Sequence, residues 1–119
     1  MEERRHYVRI NDDIKISYQI QKILGMITSV SANLSVCGLK LPVLHNVHPG
    51  IHLRLEFSLS GVGKLIVLDS VVQWIKETKG SRFPFEVGLK FINLDPKDKK
   101  IIISYIDNKK DRREIQWLD

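Results

Sequence analysis

Ile51-His52-Leu53-Arg54-Leu55-Glu56-Phe57-Ser58-Leu59 alternates apolar and polar residues without a slip. Successive side chains of a strand point to opposite faces, so this run presents its apolar set to one side and must line a core. Upstream, Ile14, Ile16, Tyr18 and Ile20 mark an earlier strand, and Leu24 to Val30 a second β-prone run. Leu39 and Leu41 form a short strand that Pro42 is expected to interrupt. Downstream, Ser60-Gly61-Val62-Gly63 reads as a hairpin connection into Leu65 to Glu77, a long run expected to bend. The polar turn Thr78-Lys79-Gly80-Ser81 leads into a last strand, Phe85 to Leu94, with Phe85, Val87, Leu89 and Phe91 on one face. The period changes only at Asp95. Asp95 suits a helix cap, Pro96 the first turn, and Ile102, Tyr105 and Ile106 recur at helical spacing. These elements predict a mainly β fold, a six-stranded antiparallel β-barrel closed at an open end or on its outer face by one C-terminal α-helix.

The 119 residues, 43% hydrophobic and 28% charged, fit one compact domain. No repeat or linker divides them. The predicted organisation is a flexible Arg-rich arm over 1–11, the barrel over 12–94, the helix over 95–110 and a tail over 111–119. The N-terminus lacks the apolar core of a signal peptide and no run approaches the ~20 apolar residues of a membrane helix, so a cytoplasmic location is expected. The single cysteine, Cys37, excludes an internal disulfide and is expected to be a small packed residue. A net charge of +5 and a pI near 9.4 point to an anionic partner. Much of the excess sits at the ends, in Arg4, Arg5 and Arg9 and in Lys109, Lys110, Arg112 and Arg113. An interaction surface and a solvated helix end matched to its dipole account for the second group equally well.

Several chemistries are disfavoured. His45, His48 and His52 are split by Pro49-Gly50, share neither a helix nor a strand face, and read as a polar loop rather than a metal site. Ser60-Gly61-Val62-Gly63-Lys64 lacks the spacing and the following helix of a phosphate loop. Nothing places a nucleophile beside a base or on a strained elbow, so an enzyme is not expected. Most aromatic residues fall at core periodicity, leaving Tyr7 as the one placed among arginines.

Two stretches remain, Arg4-Arg5-His6-Tyr7-Val8-Arg9 and Asn33-Leu34-Ser35-Val36-Cys37-Gly38. Guanidinium forks suit phosphate oxygens and the acceptor edge of guanine, and the second stretch adds an amide, a hydroxyl and an unhindered backbone. Here the chain resembles the PilZ domain family of bacterial cyclic di-GMP receptors. Arg5 and Arg9 match the family's Arg-x-x-x-Arg element, Asn33, Ser35 and Gly38 match its Asp/Asn-x-Ser-x-x-Gly element, and Val87-Gly88-Leu89-Lys90-Phe91 looks like the strand before its C-terminal helix.

The resemblance implies a six-stranded barrel with a C-terminal helix and a non-catalytic second-messenger sensor, of a kind that regulates motility or biofilm formation through a partner protein. It implies no cofactor besides the ligand, cyclic di-GMP. Arg5 and Arg9 are expected on a guanine edge, on a phosphate or flat over a base. Asn33 is expected on a guanine edge or ribose-phosphate and Ser35 on a phosphate, with Gly38 allowing close approach or a positive φ. Arg4, directly before the element, resembles members that bind an intercalated ligand pair. The arm is expected to order when the dianion neutralises it. The alternatives are a basic barrel that binds nucleic acid through backbone charge, and a PilZ-like protein-interaction scaffold that binds no nucleotide.

Overall fold

In the computed structural model the described residues are 13–31, 33–59, 63–79 and 82–112. The arm carrying Arg4, Arg5 and Arg9 therefore lies outside them, as do residues 60–62 of the Ser60–Gly63 connection and the tail beyond Arg112.

Among the described residues seven strands form one antiparallel sheet: β1 (Ile14–Ile20), β2 (Ile27–Ser31), β3 (Asn33–Leu34), β4 (Gly38–Val43), β5 (His52–Ser58), β6 (Leu65–Glu77) and β7 (Phe85–Ile92). The seventh, beyond the six expected, is the two-residue β3, which takes Asn33 and Leu34 out of the expected turn and pairs them with Lys40 and Leu39. Spatial order is β2-β1-β5-β6-β7-β4-β3. The two edge strands are thus separated in the chain by one residue, which a sheet permits only when it curls until its edges meet. Ser29 Oγ stitches the seam, donating to the Pro42 carbonyl at 2.7 Å.

Pro42 does not interrupt β4, and the ladder shows why. Phe91 N–H donates to Cys37 C=O at 2.9 Å, so in this antiparallel register residues 39, 41 and 43 exchange bonds with β7 while 38, 40 and 42 face away from it. Proline's missing N–H thus falls on the seam side, where β3 has already ended. The second β-prone run is also trimmed. Lys22 and Gly25 take φ of 66° and 95°, and the strand begins at Ile27, leaving Leu24 in the connection.

The core follows the predicted alternation. Leu53, Leu55, Phe57 and Leu59 are buried, as are Ile14, Ile16, Tyr18 and Ile20 of β1 and Val87, Leu89 and Phe91 of β7. Tyr18 is wholly buried, and its hydroxyl accepts the Leu44 N–H at 3.1 Å. Burial pushes the Tyr18 phenol above its usual range, with the Leu44 bond acting in the other direction.

The helix α1 (Pro96–Arg112) starts as its sequence predicts. Asp95 Oδ1 accepts the Lys97 N–H at 2.8 Å and the Asp95 carbonyl accepts the Lys99 N–H at 2.9 Å, so Asp95 is the cap. Ile102, Tyr105 and Ile106 join the barrel's own core cluster. Asp98, buried in the first turn, pairs with Lys64 at 3.2 Å and ties the helix start to the segment entering β6. None of the described helices is long and apolar enough to cross a membrane.

Candidate functional site

The second motif is a tight turn built around Ser35. Its N–H donates to the Gly38 carbonyl at 2.9 Å, and its Oγ donates to the same carbonyl at 3.2 Å while accepting the Cys37 N–H at 3.2 Å. Ser35 has no exposed surface. The hydroxyl expected on a phosphate thus makes one donated and one accepted hydrogen bond inside the turn. Cys37, expected to be packed, is exposed at the turn's tip.

Gly38 resolves the choice between close approach and positive φ. Its φ is not in the left-handed region, whereas an added Cβ would fall on the Leu89 carbonyl oxygen of β7. The glycine lets β4 lie against β7 at the point where the turn re-enters the sheet.

Cross-strand register then aligns a row of residues on the outer face. Asn33 pairs with Lys40, Lys40 with Gly88, and Gly88 with Trp74, so four strands contribute one residue each. At about 4.8 Å per strand the row spans about 14 Å. Gly38, Lys90 and Val71 form the next row along the same face. Lys40 and Lys90 are exposed, and Trp74 is 37% exposed. The indole lies across Gly88, where any Cβ would enter the ring. Lys76, held by Glu86 at 3.4 Å, places its ammonium 5.9 Å from the indole centroid.

Trp74 is the residue that periodicity misassigns. On β6 the inward phase runs through Ile66, Leu68, Ser70 and Val72, and continued alternation would carry Trp74 inward. A bulge between Val72 and Trp74 shifts the register, returning Ile75 to the core side and turning Trp74 out. The sequence holds a trace of this in Val71-Val72 and Trp74-Ile75, adjacent apolar pairs that strict alternation does not produce. Gly88, on the outward phase of β7, carries a similar trace, since a glycine inside a strand marks a close approach. Lys40 and Lys90 left no such mark, because register alone brings them to the row.

Among the site residues expected from sequence, Asn33, Ser35 and Gly38 are therefore brought together, with Asn33 on the outer face and Ser35 buried within the turn. Arg4, Arg5 and Arg9 lie outside the described residues. Of the three histidines, His45 and His48 are exposed and His52 is engaged by Asp69, Nδ1 to Oδ2 at 3.0 Å.

The resulting surface is an aromatic ring over flat backbone, flanked by two lysines and ending at an asparagine on the edge strand β3. It suits a planar base attached to an anion.

No curated protein matches the sequence. Among solved structures, the Bacillus subtilis inhibitor of motility MotI/DgrA is similar with a TM-score of 0.79 and 21% identity, over 94% of this chain and 54% of that one. The PilZ domain of YcgR from Escherichia coli, solved with c-di-GMP, is similar with a TM-score of 0.64 and 16% identity, over 92% of this chain and 96% of that domain. YcgR in complex with c-di-GMP gives 0.71 and 17% identity, over 92% of this chain but 47% of its own length. The present chain thus spans about half of MotI/DgrA and of this longer YcgR. At these identities the likeness establishes the fold. The PilZ domain family model matches residues 3–108, a span that takes in the Arg-rich stretch, the Ser35 turn, the whole sheet and most of the helix, and the chain belongs to the PilZ domain family.

Proposed function

We propose that this chain is a non-catalytic receptor for cyclic di-GMP that passes a ligand-dependent change to a partner protein. The observation that carries the reading is the row Asn33–Lys40–Gly88–Trp74, continuous across four strands and beginning at the family motif. In this reading one guanine stacks on Trp74 over Gly88, and Lys40 and Lys90 face the phosphates. Asn33 takes a guanine edge or the ribose-phosphate. Arg4, Arg5 and Arg9 close on the ligand from the N-terminal segment, which orders as the two phosphate charges are neutralised. The YcgR structures with c-di-GMP, on the same fold, support the choice of ligand.

Titration calorimetry with cyclic di-GMP, cyclic di-AMP and GTP tests the proposal. Heat with the first and none with the second is expected, because the guanine acceptor edge is what the guanidinium forks and the Asn33 amide would distinguish. Asn33→Ala, Arg5→Ala and Arg9→Ala should each weaken binding by about 1–3 kcal/mol. Hydrogen exchange over residues 1–11 should slow on ligand addition. The absence of heat with cyclic di-GMP at micromolar protein refutes the reading, and sequence-tolerant, steeply salt-dependent RNA binding would replace it.

A further inference from the structure

The β1–β2 connection carries apolar side chains that the fold does not use. Leu24 is 94% exposed, Ile23 48% and Met26 43%. A single exposed leucine means little, but this segment is held in place. Ile23 N–H donates to Ile20 C=O at 2.9 Å, and Gln21 N–H donates to His52 C=O at 2.9 Å. In return, His52 N–H donates to Gln21 Oε1 at 3.0 Å. Lys22 keeps a φ of 66°, an uncommon conformation for a lysine.

The connection borders an open cleft of about 370 Å³ whose lining includes Ile20, Ile23, Leu24, His52, Arg54 and Asp69. Its charges are unevenly matched. Asp69 is engaged by His52 at 3.0 Å, while Lys22 and Arg54 form no ion pair among the described residues. The cleft is therefore an apolar notch bordered by two cations and one carboxylate that His52 engages by a hydrogen bond. It is also continuous with the ligand face, since Gly38, Lys90, Val71 and His52 are aligned in one row across β4, β7, β6 and β5.

We propose that this cleft and the Ile23–Met26 segment form the docking site for an acidic, amphipathic segment of a partner protein. An apolar side chain of the partner packs against Ile23 and Leu24, and its carboxylates pair with Lys22 and Arg54. The proposal rests on the receptor reading above for its role as an output surface, and the docking chemistry stands on the cleft itself.

The test uses the full chain and two synthetic helical peptides of about 15 residues. One has leucines on one face and glutamates on the other, and its counterpart has lysines for the glutamates. Amide spectra should shift at residues 20–24, 52–54 and 69 with the glutamate peptide. Leu24→Ser and Arg54→Glu should each weaken that binding about tenfold, and the lysine peptide should bind about tenfold more weakly. Equal binding of both peptides, shifts confined elsewhere, or no shifts overturn the proposal. Leu24-dependent co-sedimentation with phosphatidylglycerol vesicles, without peptide shifts, also overturns it and assigns the segment to a membrane surface. Calorimetry with cyclic di-GMP runs in parallel on wild type and Leu24→Ser. Peptide binding without nucleotide heat would refute the receptor reading alone, and nucleotide heat without peptide binding would refute the docking site alone.

Discussion

Ser35→Ala separates two roles that a motif serine can have. In this fold the Ser35 hydroxyl donates to Gly38 C=O and accepts from Cys37 N–H, both at 3.2 Å, at a residue with no exposed surface. Its removal leaves the Gly38 carbonyl with the Ser35 N–H at 2.9 Å, but it strips the part-buried Cys37 N–H of its acceptor. The two hydrogen bonds lost with a hydroxyl that has no exposed surface, at about 0.5–1.5 kcal/mol each, cost about 1–3 kcal/mol together. With a urea slope of about 1–3 kcal/mol per molar, the unfolding midpoint should fall by roughly 1 M. The assay is urea denaturation of ligand-free protein followed by Trp fluorescence, with cyclic di-GMP calorimetry on the same preparation. Loss of stability without nucleotide, with weaker binding as its consequence, is the expected result. An unchanged midpoint together with lost nucleotide binding would show that the hydroxyl meets the ligand directly, and the turn argument would be refuted.

The two sheet glycines should respond differently to alanine. Gly38→Ala drives a Cβ into the Leu89 carbonyl, which is backbone and cannot swing aside, so a loss of at least about 2 kcal/mol is expected in urea melts. Gly88→Ala meets the half-exposed Trp74 indole, which can rotate away, so stability should change by less than about 1 kcal/mol. Cyclic di-GMP affinity in that variant should instead fall about as far as in Trp74→Ala, and retained affinity would remove Trp74 from the site. Tyr18→Phe leaves the Leu44 N–H without its acceptor and should cost about 1–3 kcal/mol at neutral pH. Because burial raises the folded-state pKa of Tyr18 above the unfolded value of 10.0, its stabilising contribution is complete below that pH and is lost as pH rises through the folded pKa. Thermal melts of wild type above pH 10 should therefore fall more steeply than those of Tyr18→Phe. Lys64→Ala breaks a pair with one exposed partner at the start of α1 and should shift the melt by less than about 1 kcal/mol.

Alternation of apolar residues is a local property, and it determined much of this protein. The run from Ile51 to Leu59, the phases of β1 and β7, and the Asp95 cap were legible because side-chain direction follows from strand or helix period alone. The Asn33-x-Ser-x-x-Gly38 pattern was equally plain from sequence, since it is contiguous. Tertiary structure decided what depends on register. The bulge at Val72/Trp74 turned an aromatic that periodicity counted inward onto the outer face, and pairing alone aligned Lys40 and Gly88 between it and Asn33. Pro42 was tolerated because its missing donor points at the seam, a fact about which neighbour β4 lacks. The roles within the motif were also tertiary matters. Ser35 is turned into the turn by its own hydrogen bonds, and Gly38 is required by a carbonyl on a strand about fifty residues further along the chain. Sequence alone determined six of the strands, the cap and the motif, because each is written in neighbouring residues. The site's surface was decided by the tertiary structure, because it is written across four strands that only the ladder brings side by side.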